Sequence, residues 1–312
     1  MYIGENTVVN HEKVAPARKA GDYTKTVRYQ VDAYLFVLPA LLILATFVIY
    51  PILRLFYLSF TDYQLLVPES HFIGFENYIK ALHDPLFLKT MKNSLYFTVV
   101  DCTLQGSLAL IIAIMTNYAL RGFKVFRTIV YIPAVTSFVS VCILWKLMYH
   151  GDYGLISSIF SDILGLGVKN YLADPKTAMN AIIIACSWKG IGWYMTMFLA
   201  GLSQIPEELY ESSQIDGATF WKKFVYITIP LLKNTILFVL VMEIIDAMKV
   251  YIPSFVMTSG GPLDSTNLPV YNIWIQAFKL MDVGYASAMA VLFFLVVMVI
   301  TALQFKVMKE NI

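Results

Sequence analysis

Long apolar runs alternate with shorter polar segments along the whole chain, and six of the runs are long enough to be membrane spans. Crossing the hydrocarbon core of a bilayer takes about 20 apolar residues. An open strand would leave its backbone groups unsatisfied in lipid, so each run should be a helix. The pattern therefore predicts an all-α, polytopic membrane protein with six transmembrane helices, at about Tyr34–Phe56, Leu95–Asn117, Thr128–Met148, Ala178–Leu199, Ile227–Lys249 and Gly284–Phe305.

The composition supports a membrane protein and narrows the chemistry that the chain can carry. Hydrophobic residues make up 58% of the 312 positions and charged residues only 14%. The formal net charge of +2 gives no reason to expect a nucleic-acid partner. Cys102, Cys142 and Cys186 all fall in predicted spans, which favours small hydrophobic side chains over a disulfide framework. The scattered histidines have no partner at metal-ligand spacing, so no metal site is predicted.

Lysine and arginine are concentrated on one predicted side of the membrane. They precede the first span, fill the loop that includes Arg121 and Arg127, recur at Lys222 and Lys223, and end the chain. The positive-inside rule then puts both termini and the loop between the fourth and fifth spans in the cytoplasm. We predict a cytoplasmic tail over residues 1–33, a transmembrane domain over 34–306 with this loop at about 201–226, and a cytoplasmic tail over 307–312. The first tail is too long for a removable signal peptide and lacks a small-residue cleavage site.

The polar segment Pro206–Pro230 contains signals for two short helices joined by a turn. Pro206 suits a first helical turn, and Glu207 and Glu208 favour the positive end of a helix dipole. Asp216 and Gly217 form a turn pair, in which Gly217 can take a positive φ and Asp216 can cap the following helix. The sequence predicts an ordered loop that a partner protein could push.

This segment resembles the coupling loop of bacterial ABC importer permeases, whose pattern is Glu-Ala-Ala, three residues, Gly, and later Ile-x-Leu-Pro. The matching residues here are Glu211-Ser212-Ser213, Gly217, Ala218 and Ile227-Thr228-Ile229-Pro230. Ser-Ser replaces Ala-Ala and Ile229 replaces Leu, and both changes keep side-chain size roughly constant. The sequence Ile215-Asp216-Gly217-Ala218 resembles the one found in the carbohydrate-uptake branch of that family.

The resemblance implies a type I importer permease fold and a set of partners. These are a second, homologous permease, two ATP-binding cassette subunits and an extracytoplasmic solute-binding protein. The implied cargo is a carbohydrate, and we expect an oligosaccharide. The implied location is the bacterial cytoplasmic membrane, and the implied mechanism is alternating access. The chain has no phosphate-binding loop of the Walker type, so it is predicted to bind no cofactor and to be no enzyme. ATP and Mg would be bound by the partner subunits.

Polar residues within the predicted spans are costly in lipid and mark a candidate substrate pathway. Glu243, Asp246 and Lys249 follow at three-residue spacing and share a slowly drifting helical face. The other members are Asn93, Asp101, Trp188, Trp193 and Tyr194, of which the aromatic residues cluster around two glycines. An ion pair, contacts between helices and anchoring at the membrane interface remain as alternatives.

Two external loops carry further motifs. Gly260, Gly261 and Pro262 make a tight, pre-bent backbone ahead of the last span, serving either as a simple turn or as a gate or docking site. The motif Phe72–Tyr78 resembles an element of sugar permeases and is predicted to pack against the chain's own spans, with contact to a binding protein as the alternative.

Two other functions stay open at this point. An ion-gradient-driven secondary transporter or a channel would account for the charges in the membrane but leaves the ordered loop unexplained. An ABC permease for a non-sugar solute would keep the loop and change only the cargo.

Overall fold

The computed structural model describes residues 34, 36–67, 69–117, 123–162 and 170–310, and these residues are mostly helical. Outside helices and turns, the described residues form only the isolated β-bridges Thr61 to Phe72 and Gln64 to Asp282. The prediction of an all-α chain is therefore confirmed. The predicted tail at 1–33 lies outside the described residues.

Eleven helices are named here in chain order. They are α1 (Phe36–Leu58), α2 (Glu76–His83), α3 (Pro85–Asn117), α4 (Phe123–Val135), α5 (Phe138–Met148), α6 (Leu155–Asp162), α7 (Ala178–Leu202), α8 (Glu207–Ile215), α9 (Phe220–Met248), α10 (Pro269–Trp274) and α11 (Val283–Glu310). Short π-helical stretches lie within α1 at Ala45–Ile49 and within α9 at Phe224–Thr228. Two more lie at Ser254–Thr258 and, continuing α10, at Ile275–Lys279.

Five of the helices, α1, α3, α7, α9 and α11, are each long and apolar enough to cross a membrane. The number rises to six when α4 and α5 are counted as one span, although the two are bent by 99°. The predicted span over Thr128–Met148 is therefore divided into two helices by a sharp bend. Pro133 has no N–H to continue the helix, and the chain leaves helical geometry at Ser137, where ψ is 131°.

The chain divides into two compact units, residues 1–55 and 56–312. In the first unit, the described residues form the greater part of α1, whose side chains are exposed and apolar. Such a surface is typical of a helix that faces lipid.

In the second unit, α3 packs along α7 and also contacts α9, while α4 packs against α7. Glycines let these helices approach closely. A side chain at Gly192 would overlap the backbone of Val130 and Tyr131 in α4, and one at Gly190 would overlap Gln105 of α3. The three helices α3, α7 and α9 thus form the scaffold that positions the polar residues described below.

The segment between α1 and α3, which is predicted to be external, packs against its own chain, as expected. The Asn77 amide donates hydrogen bonds to the carbonyl oxygens of Ser59 and Thr61, at 3.2 and 2.8 Å. The ring of Phe60 contacts those of Phe72, Phe75 and Tyr78, and α2 contacts α11.

Candidate functional site

The Pro206–Pro230 segment folds as two helices joined by a tight turn, and we call it the two-helix loop. Pro206 precedes α8 as its N-cap, just outside the first turn for which it was predicted. Glu207 and Glu208 open α8, where carboxylates interact favourably with the helix dipole. The chain then reverses at Gly217, whose φ of 72° is the positive value that the sequence predicts.

The prediction that Asp216 caps the following helix is wrong. Asp216 ends α8, and its N–H donates to the Ser212 carbonyl at 3.1 Å. The N-cap of α9 is Thr219, three residues further on. Gly217 and Ala218 fill the intervening positions, so Asp216 does not occupy the N-cap position from which it was predicted to cap α9.

Few contacts fasten α8, and most of its surface is exposed. The Tyr210 hydroxyl is 3.0 Å from the Thr228 hydroxyl of α9, and Lys223 Nζ lies 3.4 Å from Gln214 Oε1. Among the residues of the coupling-loop pattern, Ser213 and Ala218 are half-buried, whereas Glu211, Ser212, Gly217 and Pro230 are exposed. The side chain of Ile215 is 88% exposed. An apolar tip on an ordered loop provides a surface to which another protein can dock.

A cavity of about 260 Å³ lies between α3, α7, α9 and the break between α4 and α5. It brings together five of the eight residues of the predicted pathway, namely Asp101, Trp193, Tyr194, Glu243 and Asp246. Gln105, Lys189 and Gly190 complete its polar lining. Transport through it is still a prediction.

Hydrogen bonds hold most of the polar groups in this cavity. Ser187 Oγ donates to Asp101 Oδ1 at 2.6 Å, and Tyr194 Oη donates to Asp246 Oδ2 at 3.0 Å. Asp246 also pairs with Lys249 at 3.3 Å. Glu243 differs from these carboxylates because its Oε1 is buried without a hydrogen-bond partner among the described residues.

Three of the predicted pathway residues do not line the cavity. The Asn93 amide donates to the carbonyl oxygens of Asp264 and Asn267, both at 2.9 Å, and so fastens the external loop. Trp188 packs edge-to-face on Trp145, with ring centroids 5.8 Å apart. Lys249 reaches the cavity only through its ion pair with Asp246.

Sequence reasoning missed the residues at the break between α4 and α5. Ala134 and Phe138 line the cavity because the bend brings the two short helices across its wall. Lys189 Nζ donates to the carbonyl oxygens of Pro133 and Ala134, at 3.3 and 2.8 Å. The Pro133 carbonyl also accepts a hydrogen bond from the Thr136 N–H at 3.2 Å, and the last carbonyls of a helix lack the usual partner four residues further on. Pro133 was the one available signal.

The motif at Gly260 to Pro262 forms a tight turn, in which the Gly261 N–H donates to the Thr258 carbonyl at 3.0 Å. Gly260 has a φ of 82°, and a side chain there would meet the Tyr271 ring at 3.0 Å. Thr266 Oγ1 donates to the Gly261 carbonyl at 2.7 Å. The motif therefore forms the predicted turn, whereas a role as a gate or docking site stays a prediction. Among the described residues, no cluster of three or more His, Cys, Asp or Glu side chains is arranged to hold a metal ion.

Comparisons with known proteins agree with this architecture. Residues 105–309 match the family model described as "Binding-protein-dependent transport system inner membrane component". The trehalose/maltose transport system permease protein MalF of Thermococcus litoralis is 35% identical over 88% of this chain and 92% of its own length. The lactose transport system permease protein LacF of Rhizobium radiobacter is 34% identical over 91% and 96%.

The fold also matches a solved structure. A bacterial ABC transporter involved in the import of the acidic polysaccharide alginate contains a chain with a TM-score of 0.81 and 23% identity, covering 93% of this chain and 99% of that one. This match supports the helical architecture. The family model and the two permease relatives carry the assignment further: the chain belongs to the binding-protein-dependent transport system inner membrane components.

Proposed function

We propose that this chain is the permease subunit of an ATP-driven importer that carries a carbohydrate, above all an oligosaccharide, across the cytoplasmic membrane. The observation that carries the proposal is the ordered, exposed two-helix loop, joined through one helix to a polar cavity in the membrane. The proposed partners are a second permease, two ATP-binding cassette subunits and an extracytoplasmic solute-binding protein. ATP and Mg are bound by the cassette subunits.

The geometry of α9 supports a mechanical link between the loop and the cavity. This helix is 29 residues long, or about 43 Å at 1.5 Å per residue. Its first turns, up to Pro230, belong to the two-helix loop, and its last turns carry Glu243 and Asp246. Because a helix is stiff along its axis, a displacement of α8 moves the polar groups at the other end of α9.

Alternating access then assigns a role to each part of the loop. ATP binding brings the two cassette subunits together. The helix α8 and the turn after it sit in grooves on the surface of these subunits and move with them. Glu211 anchors the loop through its charge, Gly217 sets the reversal, and Ala218 permits close packing against α8. The cavity opens outward to receive cargo from the binding protein and reopens inward after hydrolysis.

The nature of the cargo is supported by the relatives and by the cavity. Relatives more than 30% identical are named for trehalose/maltose and for lactose transport. The cavity offers Gln105, Tyr194 and three carboxylates as hydrogen-bonding groups, with Trp193 beside them. Aromatic rings stack on the apolar faces of sugars, while polar groups bond their hydroxyls.

The test is uptake of maltotriose by proteoliposomes that contain the full complex and its binding protein. We expect uptake that requires ATP inside the vesicle and persists when ionophores collapse the ion gradients. Uptake driven by an ion gradient without ATP would instead identify the secondary transporter, which the membrane-embedded carboxylates favour. ATP-dependent uptake of only non-sugar solutes would retain the permease and overturn the cargo.

A further inference from the structure

Another cavity, of about 420 Å³, lies where the end of α5 meets α6 and the start of α7, on the side of the membrane that is predicted to be external. It shares no lining residue with the polar cavity described above. Its volume is within the range of small-molecule sites. Most of its wall is formed by the aromatic and aliphatic side chains of Trp145, Tyr149, Ile156, Tyr171, Ala181 and Ile184.

Hydrogen bonds within the chain occupy polar groups around this cavity. Tyr149 Oη donates to the Ala181 carbonyl at 3.1 Å, and Asn180 Oδ1 accepts from Tyr96 Oη at 2.7 Å. A water molecule needs several polar partners, which a wall of this kind does not offer. An apolar group is therefore the favoured occupant of the cavity.

Trp145 adds one polar requirement to this apolar space. Its side chain is only 8% exposed, and its Nε1 has no hydrogen-bond partner in the part of the chain that the structure describes. An indole N–H can only donate, and burying it without an acceptor is unfavourable. The rings of Tyr149 and Trp188 pack on the indole, with centroids 5.4 and 5.8 Å away. The cavity therefore fits an occupant that is mainly apolar and carries a hydrogen-bond acceptor.

The depth of the cavity in the bilayer narrows the chemistry of this occupant. Its lining extends along α7 from the N-cap Thr177 to Ile184, which is about 10 Å at 1.5 Å per residue. The predicted span begins at Ala178, so the cavity lies in the interface and the outermost part of the hydrocarbon core. Ile184 is 46% exposed and forms an apolar rim. Phospholipid ester groups lie at this depth, between headgroups and hydrocarbon, where tryptophan is also enriched.

We propose that this cavity binds a glycerophospholipid of the outer leaflet. One acyl chain fills the apolar space, and the ester carbonyl of that chain accepts a hydrogen bond from Trp145 Nε1. The bound lipid would fill the space between α5 and α7 on their predicted external side. This site depends on the location of the chain in a membrane and not on the cargo or the source of energy, so it is independent of the proposed function.

The experiment uses the full-length chain in its purified transport complex, reconstituted in two kinds of nanodisc. One kind is made of dioleoyl phosphatidylcholine, and the other is made of its ether-linked analogue, which has no ester carbonyl. Both contain a trace of an ester phosphatidylcholine with a diazirine in its acyl chain. After illumination, mass spectrometry measures labelling of the peptides that line the cavity relative to labelling of α1, whose exposed apolar surface is the reference.

This relative labelling is expected to be about two- to tenfold higher in the ether-lipid nanodiscs, the factor that one hydrogen bond contributes to binding. The reason is that the bulk ether lipid cannot compete for the Trp145 N–H, whereas the bulk ester lipid can. Labelling of α1 needs no hydrogen bond and therefore corrects for general contact with lipid.

Trp145→Phe keeps an aromatic ring and removes the donor, so the relative labelling should become equal in the two lipids. Trp274→Phe is the matched control, because it removes an indole from a half-buried position outside the cavity and should keep the wild-type difference. Ala181→Leu narrows the cavity. It should lower the relative labelling at least about fourfold in both lipids, the effect of excluding a single methylene group.

Unlabelled cavity peptides in the wild type would overturn the inference, because another part of the protein or a second subunit would then fill the space. Equal relative labelling in the two wild-type nanodiscs would overturn it as well, and so would a lipid difference that survives in Trp145→Phe. The comparison on the wild-type chain keeps the inference falsifiable even if Ala181→Leu does not fold. Because labelling requires no transport, its failure would leave the proposed function standing.

Discussion

Two glycines of this protein, far apart in the sequence, have similar positive φ angles. Gly217 in the two-helix loop has a φ of 72°, and Gly74 in the external segment has a φ of 62°. A Cβ atom at either position meets nothing within 4 Å. A substitution at each site therefore introduces the same kind of backbone strain with little steric overlap, and only the location differs.

We predict that Gly217→Val uncouples ATP hydrolysis from uptake. A β-branched residue is a strong outlier at positive φ and costs on the order of 1–2 kcal/mol or more, so the turn between α8 and α9 shifts. The ratio of maltotriose imported to ATP hydrolysed should fall at least about fivefold while the complex still assembles. Gly74→Val is the matched control and should leave this ratio unchanged. Equal ratios in both variants would contradict a coupling role for the turn.

Residues three apart on one helix can meet very different surroundings, as α9 demonstrates. The spacing of Glu243, Asp246 and Lys249 predicts a shared face. Glu243 is buried against α3, Asp246 is partly open and bonded to Tyr194, and Lys249 is exposed. The sequence contains the spacing but not the distance of each turn from α3, and that distance decides which carboxyl is desolvated.

Among the helices, α1 and α9 accommodate an internal proline in the same way. In both, a π-helical stretch ends two residues before the proline: Ala45–Ile49 before Pro51 and Phe224–Thr228 before Pro230. A proline ring clashes with the carbonyl four residues earlier, and that residue lies inside the π stretch in each helix. The wider turn relieves the clash, so α9 continues without a break from the two-helix loop to the cavity.

The contact between α4 and α7 depends on Gly192. A side chain there would overlap the Val130 carbonyl and the backbone of Tyr131, which cannot move aside as a flexible side chain can. We predict that Gly192→Ala destabilises the protein by about 1–3 kcal/mol, the usual cost of overpacking. The thermal midpoint of the purified complex should fall by several degrees.

Gly261→Ala is the control for that measurement. Its added methyl group would meet only the Thr258 carbonyl, at 3.4 Å, and the glycine is not at a positive φ. Its thermal midpoint should stay within about one degree of the wild type. A wild-type midpoint for Gly192→Ala would mean that α4 and α7 do not pack this closely in the membrane.

The hydrogen bond between the hydroxyl groups of Tyr210 and Thr228 joins α8 to α9, and we call it the brace. We predict that Tyr210→Phe weakens this brace by about 0.5–1.5 kcal/mol and lowers the coupling ratio about two- to fivefold. Tyr226→Phe removes an equivalent hydroxyl from a side chain that is 78% exposed, and it should have no such effect. The same import-to-hydrolysis assay separates the two variants, and a normal ratio in Tyr210→Phe would argue against the brace.

Much at the element scale follows from the sequence, because apolar length and turn residues are local properties. The spans, the two helices of the loop and the positive φ of Gly217 are of this kind. The break after Pro133, the role of Thr219 in place of Asp216 and the contact of Asn93 with the external loop are not. Each depends on which backbone groups, distant in the sequence, lie nearby in space. A single sequence does not give those spatial distances.

At the scale of the whole molecule, the distribution of lysine and arginine predicts the orientation in the membrane. We predict that a cysteine in place of Gln204, next to the two-helix loop, reacts with a membrane-impermeant maleimide in inside-out vesicles only. A cysteine in place of Leu263 in the external loop should react in right-side-out vesicles only. Both positions are exposed.

The unsubstituted chain serves as the background for this labelling. Its three cysteines are all buried, so it should react little in either type of vesicle. Labelling of both substituted positions from the same side would contradict the orientation.

The uninterrupted course of α9 has a consequence for protein engineering. The α9 part of the two-helix loop and the wall of the cavity belong to one continuous helix, so a hybrid permease joined in the middle of α9 would combine two halves that do not match. A junction in the turn between Gly217 and Thr219 avoids this problem. Replacing α8 alone through that junction should let this subunit work with the ATP-binding subunits of another transporter while it keeps its own sugar specificity.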